Sequence, residues 1–229
     1  YKYFDNNLIG AMNLFDAMVK NGCKKIVFSS SAGVYGTPKT LPIKEDDTKN
    51  PENPYGETKL MIERMLYWFD KAHELKSIAI RYFNAAGASL DGSIGEDHPN
   101  ESHLIPIAIN AQLKGGELII NGEDFETPDG TCVRDYIHVL DLAEVHVIAI
   151  RKLIEGSDSN YYNAGTGEGY SNKQIAEKIK EVGGEFKINF GPRRAGDAAS
   201  LYADNQKIRT DFNWSPKYGL KKIIESAYL

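Results

Sequence analysis

Two short apolar runs constrain this chain more than any other feature. They are KKIVFSSS at 24–31 and SIAIRYF at 77–83. The first stops abruptly at three serines, as a buried strand does at a polar sheet edge. Each run follows a stretch of helical character. In 8–20, Leu8, Met12, Phe15 and Val19 recur at helical spacing, and Asn21-Gly22 supplies a C-terminal stop. Residues 56–75 read as the second helix. Helix then strand, repeated, predicts a parallel α/β sheet. Between the two units, 33–54 is rich in Gly, Pro, Asp and Asn and reads as loop.

The second half is more mixed. Helices are expected over 103–113 and 139–154, with a further one around Ile223. Strands are expected over 118–121, 161–164 and 186–190. Ser171 and Gln174 have the spacing of a capping box that opens another helix. No linker composition separates two domains, so a second domain must be interleaved with the first. The expected division is 1–84 with 138–166, and 85–137 with 167–229.

Tyr-x-x-x-Lys occurs four times: Tyr35/Lys39, Tyr55/Lys59, Tyr67/Lys71 and Tyr218/Lys222. Spacing alone therefore selects none of them, but context selects one. Pro54 marks a helix entry just before Tyr55. On that helix Tyr55, Lys59, Ile62, Leu66 and Phe69 share a face. The last three must face the sheet, which places Tyr55 and Lys59 on the inward side at the N-terminal end. A cation about 6 Å from a phenol, at an effective dielectric of about 20, favours the phenolate by roughly 3 kcal/mol. That turns a poor base into a usable one. Ser29, Ser30 and Ser31 lie where open α/β sheets bind ligands. The structural alternative is a packing tyrosine with a snorkelling lysine.

Other chemistries find less support. The formal net charge of −5 weighs against nucleic acid as a partner. No apolar run approaches a membrane span. Cys23 and Cys132 match no zinc spacing and suit a reducing compartment, the cytoplasm. His73, His98, His103, His138 and His146 show no ligand spacing either, so no metal is expected.

Taken together, several motifs resemble the extended short-chain dehydrogenase/reductases, and within them the UDP-glucose 4-epimerase family. They are Ser-Ser-Ser-Ala-Gly-Val-Tyr-Gly (29–36), Pro54-Tyr-Gly-x-x-Lys59, Arg81-Tyr-Phe-Asn84, Gly95-Glu-Asp-His, the stretch DGTCVRDYIHVLDLA (129–143), Tyr162-Asn-x-Gly-x-Gly167 and Pro192-Arg-Arg-x-Gly-Asp197. The match runs in order from Asn6 almost to the end.

The resemblance implies an α/β fold: a partial Rossmann-like parallel sheet that binds NAD, and a smaller interleaved C-terminal α/β domain for the UDP-sugar. It implies interconversion of UDP-glucose and UDP-galactose through oxidation at C4, rotation of the 4-keto sugar and re-reduction. Tyr55 is then the base, Lys59 its electrostatic and cofactor-ribose partner, and Ser31 the ligand of the 4-hydroxyl. Asn6, Ser29 and Phe83 would touch the cofactor together with Ser31, Tyr55 and Lys59. Asn84, His103, Leu104, Asn121, Arg134, Arg194, Asp197 and Leu201 would touch the substrate with Ser31. Guanidinium forks suit a diphosphate independently of any family. The resemblance also implies a homodimer through helices 8–20 and 56–75, the second of which has spare apolar surface at Met61, Met65 and Trp68.

Two departures accompany the match. A Gly-x-x-Gly-x-x-Gly pyrophosphate loop is absent, and Gly165-Thr-Gly-Glu-Gly169 corresponds to a late family turn instead. The expectation is that the first βαβ units, on the order of ninety residues, are missing. The chain would then neither hold NAD nor turn over alone. Second, Leu201 is intermediate in size where the family gates acceptance of N-acetylated sugars. Rival readings are a non-catalytic fragment that binds only UDP or a partner, or another nucleotide-sugar epimerase or dehydratase. Ser31-Ala32-Gly33 supplies no acid of the kind a 4,6-dehydratase uses.

Overall fold

Helix and strand alternate as the two apolar runs predict. A computed structural model describes residues 1–194 and 196–229. In chain order it contains α1 (Gly10–Lys20), β1 (Lys25–Ser29), α2 (Pro54–His73), β2 (Lys76–Tyr82), β3 (Asn84–Ala86), α3 (Leu104–Leu113), β4 (Glu117–Asn121), β5 (Val133–Arg134), β6 (Tyr136–His138), α4 (Val139–Ile154), β7 (Asn160–Ala164), β8 (Tyr170–Ser171), α5 (Asn172–Gly183), β9 (Lys187–Gly191), β10 (Ser200–Leu201), α6 (Gln206–Phe212) and α7 (Leu220–Ala227). The chain divides into two units. One comprises Tyr1–Tyr82, Ala143–Ala164 and Asp204–Trp214; the other comprises Phe83–Leu142, Gly165–Ala203 and Ser215–Leu229. Segment 204–214 thus falls in the first unit, where the sequence division had it in the second.

The first unit is a parallel sheet of order β1-β2-β7, the partial Rossmann-like arrangement expected. Phe15, Ile62, Leu66 and Leu75 form a buried cluster, with Leu8, Ile26, Phe28 and Phe69 packed against it. The inward face assigned to α2 is therefore real at Ile62 and Leu66. The helix starts two residues earlier than its periodicity indicates, because its first turn is fixed by capping. Asn53 Oδ1 accepts from Gly56 N at 2.8 Å, and Pro54 sits where no N–H is needed. The first helix also begins earlier than expected, through a π-helical turn at Phe4–Ile9.

One buried ion pair ties this unit together. Arg81 on β2 is 2% exposed and meets Glu63 of α2 through two parallel bonds, Nε to Oε1 at 2.9 Å and Nη2 to Oε2 at 2.6 Å. Its Nη1 donates to the Tyr35 hydroxyl and the Glu45 carbonyl, each at 2.9 Å. Tyr35 in turn donates to Asn163 Oδ1 on β7 at 2.7 Å, and Ser30 Oγ donates to Glu63 Oε1 at 2.6 Å. Burial pushes the Tyr35 phenol far above its ordinary value, so it stays a neutral donor.

The second unit contains three small sheets: β3-β6 and β4-β9, both parallel, and β10-β5-β8. Its core joins Ile105, Ala108, Leu118, Ile120, Ile175, Ile179, Ile223 and Ile224 from α3, β4, α5 and α7. The Ser171–Gln174 capping box forms in both directions. Strands β3, β5, β6, β8 and β10 escape sequence reading because two or three residues are too few to show a period. Among the described residues no helix is long and apolar enough to cross a membrane.

The Arg81–Glu63 pair carries a stability expectation. Glu63→Ala would leave a guanidinium buried without its counter-charge, at a cost of about 3–5 kcal/mol. Urea unfolding of wild type and variant measures this; a difference under about 1 kcal/mol, the worth of an exposed pair, would mean that the clasp is not a determinant of the fold.

Candidate active site

Tyr55 and Ser31 come together because two backbones touch. Ser31 caps a 3-10 turn at Ala32–Val34, its Oγ accepting from Gly33 N at 3.1 Å. That turn packs against the start of α2 at Gly56. A Cβ built on Gly56 would stand 2.3 Å from the Gly33 carbonyl oxygen. Only glycine permits this approach. From the other side, a Cβ on Gly33 would lie 3.4 Å from Ser31 Oγ and 3.9 Å from Tyr55 Cδ1, so hydroxyl and phenol ring converge on the same turn.

Lys59 lies one helical turn beyond Tyr55. Its Nζ is 5.5 Å from the Tyr55 ring centroid and 5.0 Å from that of Phe28. It donates to the Ser29 carbonyl at 2.8 Å, which ties it to the polar end of β1. Burial pushes the ammonium below its ordinary value. Ser29 Oγ lies 2.8 Å from His146 Nε2. Of the expected cofactor residues in this unit, Ser29, Ser31, Tyr55 and Lys59 form one group. Asn6 is exposed in the π-helical turn and bonded to Asn7 at 3.4 Å. Asn7, not Asn6, reaches α2 through the Thr58 hydroxyl at 3.1 Å.

Tyr82, at the end of β2, is a residue the sequence reading passed over. Burial pushes its phenol up, and the nearby Tyr55 side chain adds to the shift. The signal lay in the Arg81-Tyr-Phe-Asn84 motif, in which only Phe83 and Asn84 were given site roles.

The second unit holds the expected substrate residues in two groups. In the first, Leu201 pairs in register with Arg134 across β10 and β5, and Asp197 Oδ1 lies 3.8 Å from Arg134 Nη2. Arg134 Nη1 donates to the carbonyls of Val133 at 2.9 Å and Ala198 at 2.8 Å, so the guanidinium is braced. In the second group, Asn121 turns its amide oxygen to Arg194, accepting from Nε and Nη2 at 3.0 Å each. Asn84 opens β3 and donates its N–H to the Asp135 carbonyl at 3.0 Å, directly after the buried Phe83. Leu104 begins α3. His103, its N-cap, turns Nδ1 toward Glu96 and Glu101 at 2.7 and 2.8 Å.

The glycine-rich turn at Gly165 wraps a carboxylate. Asp135 is fully buried and accepts from Thr166 N at 2.8 Å, Thr166 Oγ1 at 2.7 Å, Gly167 N at 3.1 Å and Ala203 N at 3.2 Å. A Cβ on Gly165 would meet Asp135 Oδ2 at 2.3 Å. These amides are already spent on a protein anion, so the turn is no pyrophosphate cradle.

Known proteins share this arrangement. Residues 1–165 match the family model described as NAD dependent epimerase/dehydratase family. The UDP-glucose 4-epimerase of Lactobacillus helveticus is 50% identical over 230 residues, spanning 99% of this chain and 70% of that protein. This chain belongs to the NAD dependent epimerase/dehydratase family, among the UDP-glucose 4-epimerases. The crystal structure of UDP-glucose 4-epimerase from Brucella ovis in complex with NAD superposes with a TM-score of 0.95 at 44% identity, over 99% of this chain and 70% of that one. The enzyme from Bifidobacterium longum in complex with NAD+ and UDP gives 0.92 at 38%, over 99% and 69%. Within this epimerase family, the close approach at Gly56 gives the Pro-Tyr-Gly-x-x-Lys motif a steric reason for its glycine.

Helix propensity alone would make Gly56→Ala stabilising by about 1 kcal/mol. The clash with Gly33 reverses the sign, and a loss of about 1–3 kcal/mol is expected. Thermal or urea unfolding of the variant decides it; a gain in stability would show that α2 and the serine turn do not need this contact.

Proposed function

We propose that the chain interconverts UDP-glucose and UDP-galactose with NAD as the redox partner. The observation that carries this reading is the convergence of Tyr55, Lys59 and Ser31 at the polar end of β1, in a chain 50% identical to a UDP-glucose 4-epimerase. The nicotinamide-ribose end of NAD suits these residues: Lys59 spends one ammonium donor on the Ser29 carbonyl and keeps the others for ribose hydroxyls. A Gly-x-x-Gly-x-x-Gly loop for the pyrophosphate does not occur among the 229 residues.

In this mechanism Tyr55 takes the proton of the sugar C4 hydroxyl. Ser31 Oγ, which accepts from Gly33, keeps its own proton to hold the C4 oxygen. Lys59 stabilises the phenolate across the ring edge. Bound NAD would supply the reversible hydride acceptance at C4. The 4-keto sugar exposes its other face in between, and Tyr55 gives the proton back.

Arg134 and Arg194 are the diphosphate ligands in this reading. Each is oriented by acceptors of its own, Ala198 for one and Asn121 for the other, and fixed forks lose less entropy on binding phosphate. Asp197 accepts from ribose hydroxyls, and Asn84, His103 and Leu104 complete the substrate set. A homodimer and a cytoplasmic location belong to the same proposal. Helices α1 and α2 expose Met12, Leu14, Tyr67 and Trp68, and neither Cys23 nor Cys132 is in a disulfide.

Calorimetric titration with NAD settles first whether the chain holds the cofactor, and conversion of UDP-galactose by protein shown to carry NAD then tests the assignment. Tyr55→Phe removes the acid–base oxygen and keeps the ring, so turnover should drop at least about a hundredfold. Unchanged turnover would remove Tyr55 from the chemistry. A second assay addresses specificity. Leu201→Tyr adds bulk beside Arg134, so it should lower the preference for UDP-N-acetylglucosamine relative to UDP-galactose at least about tenfold. An unaltered ratio would place the sugar gate elsewhere.

A further inference from the structure

Glu96, His98 and Glu101, which neither the sequence reading nor the epimerase chemistry uses, form a cluster with His103, a residue of the expected substrate set. The spacing search found no ligand set because the four residues come from an irregular stretch that folds back on itself before α3. Each offers one ligand atom, and these four atoms lie within 4.8 Å of one another. The His98 Nδ1 is 3.1 Å from Glu96 Oε1 and 3.3 Å from Glu101 Oε2. The His103 Nδ1 is 2.7 Å from Glu96 Oε1 and 2.8 Å from Glu101 Oε1.

We propose that these four side chains bind one first-row divalent cation, zinc in the first instance, in a tetrahedral site. Zinc–nitrogen and zinc–oxygen bonds of about 2.0–2.2 Å put tetrahedral ligand atoms roughly 3.3–3.5 Å apart. The histidine–carboxylate separations, 2.7–3.3 Å, lie at or below that edge length, so a cation enters as the four groups move apart around it. Both imidazoles turn the same nitrogen inward. A neutral imidazole has one N–H to give, yet each Nδ1 faces two carboxylates. A cation at the centre satisfies all four groups at once, and two carboxylates with two neutral imidazoles balance its double charge. Glu101 Oε1 also accepts the backbone N–H groups of Ser102 and His103, each at 2.7 Å, which orients the carboxylate before any cation arrives. Paired imidazoles favour zinc, nickel or cobalt over magnesium and calcium, which prefer all-oxygen shells. The bound cation would pin the Glu96–Glu101 stretch to the first residue before α3.

The test uses the full chain, stripped with EDTA and dialysed, and titrates it with zinc alone by calorimetry and with cobalt alone by visible absorption. The expected result is one equivalent of zinc and the intense d–d bands of tetrahedral cobalt. His98→Ala and the near-isosteric Glu96→Gln should each weaken zinc binding at least about a hundredfold, since loss of mere outer-shell partners already costs 10–100-fold. Neither residue is in the proposed catalytic or substrate set. Metal-free variants should melt with metal-free wild type, while only wild type gains melting temperature on adding zinc. Zinc uptake that both variants retain would locate the cation elsewhere, for instance at the exposed Cys23, and overturn the proposal. So would the absence of saturable uptake, or the weak spectrum of six-coordinate cobalt.

Discussion

The Arg81–Glu63 pair is the constraint on which the first unit depends. A guanidinium at 2% exposure persists only where its donors are matched, and here they are matched by α2, the Tyr35 hydroxyl and the Glu45 carbonyl. The same carboxylate takes the hydroxyl of Ser30. Ser30 lies between Ser29, which holds Lys59 through its carbonyl, and Ser31, which faces Tyr55 across Gly33. From β2, Arg81 reaches the middle of α2. Tyr55 is thus carried by a helix clamped to a buried strand, and its placement does not rely on a loop.

The second unit applies similar logic with opposite charge. Asp135 is buried without a cation, and four N–H or O–H donors compensate it. Burial pushes its carboxyl up while the bonds from Thr166, Ala203 and Gly167 pull it back. Its neighbour Arg134 is braced by carbonyls, including that of Ala198. The buried carboxylate and the braced guanidinium thus each find their partners separately, although they are neighbours in sequence.

Much of this was legible in the sequence. The apolar runs gave the parallel sheet, and the Tyr55 helix gave its buried face through Ile62 and Leu66. The Ser171 cap formed as its spacing indicates. What stayed hidden shares a physical cause. Strands β5, β8 and β10 are two residues long and exist because tertiary neighbours supply partners, so no local period announces them. Tyr82 and the glutamate–histidine cluster are defined by separations in space between residues whose spacing along the chain is unremarkable. The role of Gly56 is a contact with Gly33, 23 positions away, and glycine in a helix otherwise reads only as a weakness.

Strand β1 pairs with β2 along one side and, among the described residues, with nothing along the other. Along that side the strand presents half-buried Ile26, Val27 and Phe28, while at its end the Ser29 carbonyl is taken by Lys59. Such a border adds strands readily. A β-strand laid there would complete the ladder and cover the apolar flank.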